Sequence, residues 1–66
     1  MSCVIILKNT TSDTVRLLKE SLKILRLPLK PILFTSSTIL FFFPENDIEY
    51  IKEIDFSPAT LVWHKL

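Results

Sequence analysis

Not one glycine occurs among the 66 residues of this chain. Glycine reaches positive φ freely and lets backbone approach a ligand closely. The dinucleotide fingerprint, the phosphate-cradling loop, the EF-hand turn and the nucleophile elbow each need it at fixed places. Their standard forms are excluded, and with them the usual sequence signs of a cofactor site. Left-handed positions are expected to fall to Asn9, Asn46 or an aspartate, the types that tolerate them next best.

Size sets the second constraint. A domain this small buries only about 60% of the surface its unfolded chain exposes, so its core needs help. Help comes from disulfides, a metal or another subunit. Cys3 is the only cysteine and His64 the only histidine, so an internal disulfide and the usual zinc patterns are both excluded. Another subunit remains, with exceptional packing as the competing explanation. An apolar content of 48% excludes a disordered tail. The first residues lack a basic segment leading into a long apolar one, so no signal peptide is expected. The greasiest stretch, Pro31 to Pro44, is broken by Thr35, Ser36, Ser37 and Thr38 and is too short to span a bilayer as a helix. The expectation is a single cytoplasmic domain over residues 1–66, with no membrane partner and no cofactor.

Apolar periodicity gives the order of elements. Cys3–Lys8 is a continuous β-branched run, the pattern of a strand buried on both faces. Thr10 and Asp13 have the spacing of a helix-capping pair. Val15, Leu18, Leu22 and Leu25 then form one stripe, widened by Leu17 and Ile24, and predict a helix over 12–27 that Pro28 and Pro31 end. Ile32–Thr35 and Thr38–Phe43 read as two strands about Ser36-Ser37, either a tight hairpin or a longer, bulged one. Glu45–Ile54 reads as a second helix, with acidic residues in its first turn and a capping spacing from Asn46 to Glu49. Thr60–His64 reads as a last strand. The order β-α-β-β-α-β predicts an α+β fold of the ferredoxin-like, split βαβ type, an antiparallel sheet with two helices on one face. In that arrangement the first and third strands are central, and these are the two continuous apolar runs. An alternative leaves the last strand out of the sheet as a tail.

Charge is unevenly spread. Residues 1–33 hold six cations against two anions, +4, and residues 34–66 hold two against five, −3. Arg16, Lys19, Lys23 and Arg26 gather on the polar side of the first helix, where they are candidates for contact with nucleic-acid phosphates. Four cations on a helix also make an ordinary solvated face, and the chain as a whole carries only +1.

The sheet carries the sharper signal. Helices cover one face of it, and a strand shows alternate residues to the other. Half of each apolar run is then left without a covering layer. Ile39, Phe41, Phe42, Phe43 and Trp63 are the candidate interface residues. Aromatics on a sheet also serve RNA-binding domains, but Thr38–Phe43 lacks the basic residue and the glycine of that signature. No catalytic set stands out. His64 with Ser57 or Asp55 has no pocket to act in, the carboxylates Glu45, Asp47, Glu49 and Glu53 read as a solvated helix face, and Cys3 as a small buried hydrophobe.

In the order of its elements the run Cys3–Ile54 resembles the small dimerisation subunit of the KEOPS tRNA-modification complex. Asn9–Leu27 and Ile32–Ile54 fall in the positions of that family's capped first helix and of its hairpin and second helix. The second helix here is shorter and lacks that family's basic and amide residues, so no functional residue carries over. The resemblance is one of element order and implies only an analogous small subunit. The residues, with no catalytic motif among them, give a small non-enzymatic interaction module whose partner is another protein or a second copy. A nucleic-acid-binding accessory protein is the alternative.

Overall fold

The structure, a computed structural model, describes residues 2–66. It is an α+β domain: strand β1 (Ser2–Lys8), helix α1 (Ser12–Ile24), strands β2 (Pro31–Phe34) and β3 (Thr38–Pro44), a single 3₁₀ turn (Glu45–Asp47), helix α2 (Ile48–Lys52) and strand β4 (Thr60–Lys65). The four strands form one sheet in the order β2-β3-β1-β4, with every neighbouring pair antiparallel. The two continuous apolar runs, β1 and β3, occupy the centre. The last strand joins the sheet beside β1, which overturns the alternative of a C-terminal tail.

Alternation divides the sheet into two faces. Cys3, Ile5 and Leu7 of β1 and Ile39, Phe41 and Phe43 of β3 are buried in one cluster with Leu18 and Leu22 of α1 and Ile48 and Ile51 of α2. Both helices therefore cover the same face. Phe56, from the loop before β4, closes the cluster, and the Phe41 and Phe43 rings meet edge to face at 6.3 Å.

Helix α1 differs from its expected form at both ends. The capping box is one residue later than the sequence spacing indicated. Thr11, not Thr10, is the N-cap: the Thr14 N–H donates to Thr11 Oγ1 at 3.4 Å, and the Thr11 N–H donates to Thr14 Oγ1 at 2.6 Å. Thr10 instead donates its N–H to the Ser37 carbonyl at 3.0 Å, tying this loop to the β2–β3 hairpin. The helix ends at Ile24 rather than Leu27 because Arg26 turns left-handed, with φ 58°. The Arg26 and Leu27 N–H groups then donate to the carbonyls of Lys23 and Leu22, a complete Schellman closure with arginine where glycine is usual. Asn9 takes the other positive φ, 60°, as the sequence indicated, whereas Asn46 does not. Beyond the turn, Leu25, Leu27 and Leu29 pack against the core while Arg26, Pro28 and Lys30 are exposed.

The second helix is shorter than expected. Only Ile48–Lys52 is α-helical, and the Asn46–Glu49 cap is not made. Five residues cannot form a stable helix alone, so packing of Ile48 and Ile51 on the sheet holds it. The hairpin is a three-residue connection pinned by Thr35, whose Oγ1 accepts from the Thr38 N–H at 3.0 Å, and β2 carries a register shift between Pro31 and Leu33.

Candidate docking face

Residues directly opposite in an antiparallel pair lie on the same face. On the uncovered face β1 presents Val4, Ile6 and Lys8, preceded by Ser2 opposite Pro44. Across from them stand Phe42, Leu40 and Thr38 of β3 on one side and His64, Val62 and Thr60 of β4 on the other. Leu33 of β2 pairs with Leu40. The result is four cross-strand rows, the one at the start of β1 being the short Ser2–Pro44 pair. The row Leu33–Leu40–Ile6–Val62 spans all four strands and is wholly aliphatic. Beside it runs Phe42–Val4–His64, and on its other side Thr38–Lys8–Thr60.

None of Val4, Ile6, Leu33, Leu40, Phe42 or Val62 belongs to the core cluster or to the side chains packed against it. Val4, Ile6, Leu40 and Val62 are half-buried, whereas Leu33 and Phe42 are 47% and 59% exposed. Among the described residues no helix covers this face. Among the described residues the only ionisable side chains on this face are Lys8 and His64, in the rows on either side of the aliphatic one.

Of the five expected interface residues, Phe42 alone stands here. Ile39, Phe41 and Phe43 are corrected to the core, since their register puts them under the helices. Trp63 is opposite Ile5 and so also faces the helices. Its ring lies beneath the Lys52 ammonium at 5.5 Å, with Lys52 held by Glu49 at 3.5 Å. The uniform apolar run does not say which alternate set is covered, and only strand pairing settles that. Leu33 was missed because the irregularity in β2 sets its facing.

The basic residues of α1 are exposed as expected. Arg16 is within 3.6 Å of Asp13, an exposed pair of small energetic consequence. Lys19, Lys23 and Arg26 surround a shallow depression floored by Leu22, Leu27, Pro28 and Leu29. A second hollow, of about 260 Å³, opens where β2 stops short of the end of β3. It is lined by Leu22, Leu27, Pro28, Phe41, Phe42 and Phe43, with Lys30 at its side.

The residues considered for chemistry are dispersed. His64 stands on the open face opposite Val4. Asp55 caps the turn before β4 by accepting from the Ser57 N–H at 3.0 Å, and hydrogen bonds from Ser57 hold its carboxyl below the usual range. Cys3 is enclosed, its thiol donating to the Phe43 carbonyl at 3.3 Å, and burial, with Glu45 adding to it, pushes its pKa up. Glu45 pairs with Lys65 at 3.0 Å. Among the described residues no three His, Cys, Asp or Glu side chains are grouped to hold a metal ion, and no helix is long and apolar enough to cross a membrane. No protein-family model, curated protein or solved structure matches the chain.

Proposed function

We propose that this chain is a small non-enzymatic protein–protein interaction module, an accessory subunit that docks through the open face of its sheet. The scaffold is read as a ferredoxin-like βαββαβ domain, consistent with β1 and β3 at the centre and both helices on one face. The observation that carries the reading is the aliphatic row Leu33–Leu40–Ile6–Val62 with Phe42 beside it. Contiguous apolar surface of this kind marks interaction sites.

The test is photocrosslinking from two positions in source-cell extract. A crosslinking phenylalanine analogue at Phe42 is expected to give a discrete covalent product. The same analogue at Ile24, which is 71% exposed on α1, is expected to give none. Equal labelling from both positions, or none from either, overturns the docking reading.

A further inference from the structure

We propose that the β2 side of the domain is a peripheral membrane-binding edge, and that its partner is the headgroup layer of an anionic lipid bilayer. This surface is separate from the aliphatic row of the open face, so the inference does not rest on the docking reading. It departs from the expectation of no membrane partner. Three observations carry it.

The first is that charge is sorted across the sheet, whose two edges are β2 and β4. The carboxylates of residues 45–55 gather toward β4. Glu45 pairs with Lys65 at 3.0 Å, Glu49 holds the Lys52 that lies over Trp63, and Asp55 caps the turn before the strand. From Ser21 to Pro44 there is no Asp or Glu, whereas Lys23, Arg26 and Lys30 fall in that stretch. Lys19, Lys23 and Arg26 rim one hollow and Lys30 flanks the next, and the two hollows share Leu22, Leu27 and Pro28. The four cations therefore lie along one continuous strip. Asp13 and Glu20, the carboxylates of α1, line neither hollow. The strip calls for a partner dense in negative charge.

The second is that the same side is greasy. All four residues of β2 are exposed, Ile32 at 53% and Phe34 at 56%. Phe34 shares a further hollow with Val15, so the apolar surface runs on from β2 to the flank of α1. Exposed aromatic and aliphatic groups beside cations are the composition of an interfacial anchor. A nucleic acid offers phosphates with no apolar layer beneath them. An anionic bilayer offers both, headgroups to the cations and acyl chains to Ile32 and Phe34.

The third is depth. The Thr35 N–H donates to the Thr38 carbonyl at 2.9 Å, so the next pair along the ladder, Phe34 and Ile39, exchanges no hydrogen bonds. The Phe34 N–H and carbonyl therefore point out from the free edge. Open sheet edges do not enter hydrocarbon, where these groups would have no partner. The backbone of β2 stays among the headgroups, and only its side chains reach inward. Binding is shallow and reversible.

Vesicle flotation with the whole chain tests this, using phosphatidylcholine alone against phosphatidylcholine with about 30% phosphatidylserine. Wild type is expected to bind the anionic vesicles at least about tenfold more tightly, and less so as salt rises. Lys23→Glu combined with Glu53→Lys keeps the net charge at +1 but moves a cation from the β2 side to the α2 region. It is expected to weaken binding at least about tenfold, whereas Glu53→Lys alone is expected not to weaken it. Phe34→Ser is expected to weaken binding at least about fivefold. Amide spectra establish that each variant folds; should Phe34→Ser fail to fold, Ile32→Ser replaces it.

Equal binding to both kinds of vesicle, or binding to neither, overturns the proposal. So does a folded charge-swap variant that binds as wild type does, because net charge rather than this edge then governs. Binding left unchanged in folded Phe34→Ser shows adsorption by charge alone and overturns insertion of the edge. Tighter binding to a duplex oligonucleotide or to polyglutamate than to anionic vesicles assigns the cations to nucleic acid or to an acidic protein, and overturns the lipid assignment.

Discussion

Phe41 and Phe42 are chemically identical neighbours in opposite surroundings, 2% and 59% exposed. The same division runs through the sheet: Ile5 is buried beneath the helices, and Ile6 lies on the open side. Composition treats these residues alike. What separates them is the period-two alternation of a strand together with the one face that α1 and α2 cover. One set holds the fold together, and the other is free to hold something else.

The most direct way to break this comparison is to truncate each phenylalanine in turn. Phe41→Ala removes a ring from the core, which costs about 3–5 kcal/mol. A domain of this size has roughly 3–10 kcal/mol in total, so the variant should be largely unfolded or close to it. Phe42→Ala should change folding stability by no more than about 1 kcal/mol. Urea unfolding read by circular dichroism separates the two, and equal losses would mean that the sheet faces are assigned wrongly.

The helix layer offers the same contrast on a smaller scale. Leu22 is buried against the sheet, and Ile24, two residues on, is exposed. Leu22→Ala should cost about 2–5 kcal/mol and Ile24→Ala about 0.5 kcal/mol or less. If Ile24→Ala proves as costly by the same unfolding measurement, a layer outside α1 covers it.

Element order was legible because each signal was local: β-branched runs, one helical stripe, and prolines at the breaks. The open face was legible only as a principle. Val4–Leu7 and Ile39–Phe43 carry no polar residue to mark which alternate set faces outward, so assigning Ile39, Phe41 and Phe43 to a surface could not be checked from composition. Trp63 was misplaced for a related reason, since its facing depends on pairing with Ile5. The helix caps failed differently. Thr10, Thr11 and Thr14 are interchangeable by type, and the choice of Thr11 depends on the Thr10 bond to Ser37 across the hairpin. Arg26 could not be foreseen as the left-handed residue, because its conformation is imposed by the closure that lets Leu27 and Leu29 reach the core.

That closure gives a third, smaller contrast, between the two positive-φ residues. Side chains with a Cβ lose about 1–2 kcal/mol in the left-handed region, and asparagine is among the types that visit it routinely. Arg26→Gly should therefore stabilise the domain by about 1 kcal/mol, and Asn9→Gly should change it by a few tenths at most. Thermal unfolding of both variants measures the difference. Destabilisation by Arg26→Gly would show that the arginine side chain makes a contact worth more than the strain it bears.

The smallest effect concerns Cys3, on the covered face. Its raised pKa comes first from burial, which disfavours the thiolate, and second from the nearby Glu45 carboxylate. Below the unfolded thiol's pKa, about 8.5, both states are protonated and nothing is lost. As pH rises past that value the unfolded chain ionises first, so native stability falls until the folded thiol titrates in turn. The loss is therefore confined to alkaline pH. Cys3→Ala should show a shallower alkaline decline than wild type when unfolding free energy is followed from neutral pH upward. Glu45→Gln should act in the same direction more weakly, because it removes only the lesser of the two causes. At neutral pH that substitution breaks the 3.0 Å pair with the exposed Lys65 and should cost about 1 kcal/mol or less. An alkaline decline that is identical in all three proteins would mean that the thiol is not enclosed, and that β1 does not present Cys3 to the covered side of the sheet.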